Sequence, residues 1–229
     1  GQSANALVAV GASGLYIHHN RFNQPGMITG GRYRGVTFSN VANSDFRFND
    51  SNSTGTGLAA AFMLQVLDGS SANVFKNNIF LSSITVTGSS ATINIDGASA
   101  AAGQTSDYND FFSSNAFNTG WLADTSYQLL PAWQAASGQD ANSIAANPLW
   151  HNVAAGVEDF HPRSSTGRYN PASASFVQDA VDSATIDYAD PAEDYSLEPA
   201  PNGSQANQGS YGNTVEASKT TASTLCPVV

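Results

Sequence analysis

Asparagine and phenylalanine recur together along the first half of the chain, and this recurrence restricts the fold more than any single motif. The instances are His19-Asn20-Arg21-Phe22, Phe46-Arg47-Phe48-Asn49, Asn77-Asn78-Ile79-Phe80 and Asn109-Asp110-Phe111-Phe112. Phe22, Phe48, Phe80 and Phe112 follow one another at 26, 32 and 32 residues. Around them lie short runs rich in β-branched and aromatic residues: 6–10, 14–18, 36–39, 45–48, 60–67, 73–75, 79–87 and 91–95. These read as strands of about four to eight residues, with no room for crossover helices between them. A drifting period with strands and no helices is the pattern of a solenoid, and an all-β, right-handed parallel β-helix fits it. Such a coil climbs about 4.8 Å per turn, so like residues stack on like. Phe80 and Phe112 are expected inside on successive coils, with asparagine amide ladders at the corners. The competing fold, an antiparallel sandwich, needs tight hairpins, for which Asp68-Gly69 and Asp96-Gly97 are the two signals.

With 229 residues the chain is long enough to bury a core as one domain. The reading places parallel coils over 1–115, a loop, a short helix and closing coils of the same domain over 116–220, and a tail over 221–229. Only 11% of residues are charged, too few for a coiled coil or a disordered acidic tail. The formal charge of -10 leaves no basic footprint for nucleic acid. That charge is uneven: residues 1–100 sum to +1 and residues 101–229 to -11. No apolar run is as long as a membrane span. Cys226 is the single cysteine, which excludes an internal disulfide. The first residues read as the middle of a coil, so a larger parent or a neighbour covering that end is expected.

Beyond residue 116 the pattern changes. Pro131 to Ser137 reads as a short helix, with proline at its first position and Gly138 as its left-handed stop. Several later segments carry a family resemblance: Ser106-Asp107-Tyr108-Asn109-Asp110-Phe111, Gly138 to Ile144, Asn147-Pro148-Leu149-Trp150, Asp159-Phe160-His161-Pro162, Ile186-Asp187, Asp190-Pro191 and Gly209-Ser210-Tyr211-Gly212-Asn213. Over roughly residues 70 to 220 the chain resembles the closing part of right-handed parallel β-helix proteins of the pectate-lyase-like superfold, common in large secreted bacterial proteins. It departs at Tyr188-Ala189, where Ala-Gly is expected, and at Asn147, where Asp is usual. The resemblance implies a β-helix, an extracellular or cell-surface location and contact with polysaccharide. It does not imply catalysis, because that superfold hosts lyases, hydrolases, tailspikes and adhesins.

A polysaccharide lyase must neutralise a uronate carboxylate with calcium or arginine and take up the neighbouring proton with a base. His18, His19, Arg21, Arg32 and Arg34 are the basic residues that would serve, although strand alternation sends His18 and His19 to opposite sides. A hydrolase needs paired carboxylates; Asp107 with Asp110 and Asp187 with Asp190 are spaced three apart, which loop capping explains equally well. Seven acids crowd residues 179–198 with no basic residue among them. Asp187, Asp190, Glu193 and Asp194 are the calcium candidates of this stretch, without the fixed spacing of a calcium loop. Trp121, Tyr127 and Trp150 are candidates for stacking on sugar rings, with core packing as the simpler role of the tryptophans. The apolar tail with Leu225, Cys226, Val228 and Val229 is a candidate strand or plug for a neighbouring copy, which repeated head to tail would give a filament. The expectation is an extracellular structural or adhesive module without catalysis; the alternative is a polysaccharide-degrading enzyme or glycan-binding module.

Overall fold

A computed structural model describes residues 3–27, 29–115 and 117–221. It is a parallel β-solenoid of about four turns. Each turn contributes one strand to each of three sheets. The first sheet holds β1 (Ser3–Val10), β4 (Arg32–Ser39), β7 (Ala60–Leu67), β10 (Ser90–Ile95) and β13 (Gly120–Leu122), with β14 (Thr125–Tyr127) added antiparallel. The second stacks β2 (Tyr16–His18), β5 (Asp45–Arg47), β8 (Asn73–Lys76) and β11 (Gln104–Asp107), and the third β3 (Arg21–Met27), β6 (Asp50–Leu58), β9 (Ile79–Val86) and β12 (Asp110–Ser113). Ile17 faces Phe46, Phe46 faces Phe75 and Phe75 faces Ser106, steps of 29, 29 and 31 residues.

The corners between the second and third sheets are stacked left-handed residues, His19, Phe48, Asn77 and Tyr108, at φ 56°, 53°, 58° and 54°. An asparagine follows the corner residue in every turn, Asn20, Asn49, Asn78 and Asn109, and together these build the expected ladder. The Oδ1 of Asn49 accepts from the backbone N and Nδ2 of Asn20, that of Asn78 from Asn49, and that of Asn109 from Asn78, all at 2.9–3.0 Å. Each amide thereby satisfies a buried backbone N–H that the corner takes out of the sheet.

The phase of the phenylalanines differs from the expectation. Phe22 faces Ser51, Ser51 faces Phe80 and Phe80 faces Phe111, so Phe111 is the core residue, stacked on Phe80 at 5.7 Å. Phe112 faces Leu81 on the outer side and is half-buried. A left-handed corner breaks the alternation, and a one-residue shift of phase exchanges inside for outside. β6 carries no apolar alternation at its start; Ser51 and Ser53 interrupt the aromatic column there. Tyr33 crosses from β4 to fill the space, its hydroxyl beside theirs.

The far end of the lumen is closed. Helix α1 (Gly97–Ala101) caps on Asp96, and α2 (Leu130–Ser137) has proline in its first turn and Gly138 at φ 67° as its stop, as expected. α2 lays Trp133 on Gly120, where a side chain would collide with the indole. The Trp133 Nε1 donates to Asp140 at 2.7 Å, and Asp140 also accepts from Asn109, ending the ladder. At the near end the strand edges of the first turn are unpaired among the described residues, with Val8, Val10 and Tyr16 exposed.

Residues 140–221 form a strap along the outside of the second and third sheets, containing two hairpins, β15 (Trp150–Asn152) with β16 (Asp159–Pro162) and β17 (Arg168–Asn170) with β18 (Ser175–Val177). It covers the left-handed corners in turn. His19 Nε2 lies 2.9 Å from the Gly212 carbonyl, the Asn77 carbonyl accepts from Gly209 at 2.8 Å, and the Tyr108 carbonyl accepts from Gln208 Nε2 at 2.7 Å. Phe48 packs on Ala189 and Ala206. Asp50, fully buried, accepts from the Ser210 hydroxyl at 2.5 Å. Burial pushes its carboxyl up to about 7. A carboxyl raised in the folded state leaves its stabilisation intact below the unfolded value and removes it as pH rises through the folded one. Between about pH 4 and 7 the folded state therefore loses up to about 4 kcal/mol from this group. The Tm of the wild type should fall across that window, and Asp50→Asn, whose amide oxygen still accepts from Ser210, should make the fall smaller.

Candidate functional site

The outer face of the first sheet carries a groove. In register along it run Val8, Thr37, Gln65, Asn94 and Trp121, and beside them Arg34, Phe62 and Ala91. The small Ala91 lets Trp121 lean toward Phe62 across it, and the two half-buried rings meet edge to face at 6.0 Å. Together with Arg32, Asn94, Asp96 and Asp124 they line a cavity of about 460 Å³. Burial opposes ionisation of Asp96, but hydrogen bonds from Ser99 and from the Asp68 backbone outweigh it and hold the carboxyl below its usual range. Its charge thus caps α1, leaving Asp124 as the exposed acid of the groove. An aromatic floor with an amide, a carboxylate and a guanidinium around it suits a ligand with one apolar face and a hydroxylated rim.

The five basic residues do not form one site. Arg32 and Arg34 are on β4 of the first sheet; His18 ends β2 and Arg21 begins β3. His18 and His19 are not on opposite sides, because the left-handed backbone of His19 turns both outward and brings their Nδ1 atoms to 2.7 Å. With its Nε2 on the Gly212 carbonyl, His19 has both ring nitrogens engaged. Burial lowers its pKa and so favours the neutral ring. Arg21 lies over the Tyr211 ring at 4.6 Å, and burial pushes the Tyr211 hydroxyl up to about 12.

The chain matches no family model, no curated protein and no solved structure.

The carboxylate pairs act within the fold. Asp107 accepts from the backbone and side chain of Asn142, and the buried Asp110 from the Ala146 backbone. The acidic stretch has basic partners after all, supplied by the solenoid. Lys76 reaches Asp190 at 2.7 Å, and Arg47 reaches Glu193 at 2.7 Å while also pairing with Asp45. Arg47 and Lys76 face each other in register on β5 and β8, so the mildly basic half meets the acidic half along this line. Asp194 is exposed and accepts from Ser196. Asp187 is buried beside Glu198, an acid that the spacing did not single out.

Of the three aromatic candidates, Trp121 is in the groove. Tyr127 packs edge to face on Trp133 at 6.4 Å, and Trp150 is buried against Phe160 at 4.7 Å. Phe62, Asn94 and Asp96 were not among the expected site residues; the coil spacing, once its phase is known, places them beside Trp121. Leu225, Cys226, Val228 and Val229 lie outside the described residues. Among the described residues no helix is long and apolar enough to cross a membrane.

Proposed function

We propose that this protein is a non-catalytic module, extracellular or at a cell surface, that holds a polysaccharide in the groove of its first sheet and so serves adhesion. The Phe62–Trp121 platform carries this reading: a pyranose ring sets its apolar C–H face on an aromatic ring and leaves its hydroxyls to Asn94, Asp124 and Arg32. The net charge of -10 favours a neutral chain over a polyuronate. The separation of Arg32 and Arg34 from His18, His19 and Arg21 supports binding without cleavage. The resemblance of the closing segments to pectate-lyase-like β-helices supports secretion and contact with glycan.

Affinity electrophoresis through gels containing neutral glucans, xylans or mannans, beside polyuronates, tests the proposal. At least one neutral polymer should retard the wild type without releasing fragments, and Trp121→Ala should weaken the retardation about tenfold. Equal retardation of the two proteins, or depolymerisation of the retained polymer, would refute it.

A further inference from the structure

We propose that Asp187 and Glu198 together bind a calcium ion that fastens the strap. The two residues come from different loops of the strap and are both tied to Asn207, near enough that the Asp187 charge acts on Glu198. The Asp187 backbone N–H donates to Asn207 Oδ1 at 2.8 Å, the Asn207 N–H donates to Glu198 Oε1 at 2.8 Å, and the Asn213 N–H donates to the same oxygen at 2.7 Å. Both residues are only 5% exposed. The second oxygen of Glu198, Oε2, and Oδ1 of Asp187 are buried with no hydrogen-bond partner among the described residues. Neither carboxylate forms an ion pair with a lysine, arginine or histidine there. Gly203, at φ 58°, packs so close to the Asp187 carboxylate that any side chain at this position would overlap it.

Two buried carboxylates without a counter-charge are costly in the ionised form. Burial, and for Glu198 the neighbouring Asp187 charge, raise both to about 7. A hard cation between them removes that penalty. The donor set is all oxygen, which suits calcium and not the softer metals that select histidine or thiolate. No group of three or more His, Cys, Asp or Glu side chains converges among the described residues, so backbone carbonyls and water would complete the shell. Such a site belongs with the weak extracellular class, with Kd of about 0.1 to 1 mM. Its effect passes directly to the docking surface, because the loop after Asn207 carries Gln208, Gly209 and Ser210 onto Tyr108, Asn77 and Asp50.

Calorimetric titration of the full chain with calcium chloride, after chelator treatment, should show one ion bound per chain. About a hundredfold excess over Kd should raise Tm by about 5 to 10 °C. Asp187→Asn and Glu198→Gln should each abolish binding, and Glu198→Gln retains an oxygen for the Asn207 and Asn213 backbones. Asp190→Asn, in the neighbouring acidic surface, should bind as the wild type does. No binding at 10 mM calcium, or binding retained in both site variants, would overturn the proposal.

Discussion

Phe80→Asp should leave no cooperatively folded protein, while Phe112→Asp should melt cooperatively within about 1.5 kcal/mol of the wild type. The two residues are of the same type and come from corresponding runs of the sequence, but they face opposite ways. Phe80 is 1% exposed, stacked on Phe111 and surrounded by the apolar column of the third sheet. A carboxylate there has neither partner nor water, and its burial costs more than a domain of this size has in reserve. Phe112 points outward beside Leu81, where a carboxylate keeps much of its hydration. Circular dichroism with thermal melting separates the outcomes, and equal behaviour of the two variants would mean that the phase of the third sheet is wrong.

Asn78→Ala should be the most damaging change in the ladder, at roughly 3 to 5 kcal/mol from the groups it leaves unpaired. Asn78 Oδ1 accepts from the Asn49 backbone and side chain, and its Nδ2 donates to the Phe46 carbonyl and to Asn109. Removing the amide strands these partners in a fully buried corner. Asn20→Ala, at the exposed head of the same ladder, leaves its partners within reach of water and should cost about 1 kcal/mol. The check is the urea midpoint at unchanged m. Equal losses at the two positions would contradict a ladder whose worth depends on burial.

The repeat was legible because phenylalanine and asparagine carry unlike, strong preferences, one for the lumen and the other for a corner that needs a side-chain acceptor. Its phase was not, because residues such as Phe48 and His19 adopt the left-handed conformation and so disturb the two-residue period on which an inside–outside assignment rests. β6 escaped notice for a related reason: Asp50-Ser51-Asn52-Ser53 has no apolar side chain, its outward acid being covered by Ser210 and its inward serines by Tyr33. The partners of the acidic stretch lie 114 and 146 residues away, at Lys76 and Arg47, a distance over which spacing in sequence says nothing. In the groove, Trp121 was visible as an aromatic outside the strongly periodic region. Phe62 was hidden within a continuous apolar strand, although its outer-face position follows from the register of β7 with β10.

The most direct test of glycan binding on the first sheet is titration of intrinsic tryptophan fluorescence with oligosaccharides cut from whichever neutral polymer retards the protein. Trp133 and Trp150 are 0% and 6% exposed, whereas Trp121 is half-buried at the edge of the groove and is the indole a sugar would reach. A ring stacking on it should shift and enhance emission saturably, and Trp121→Phe should keep the binding measured by calorimetry while losing the signal. A saturable change that persists in Trp121→Phe would place the sugar elsewhere and contradict the account.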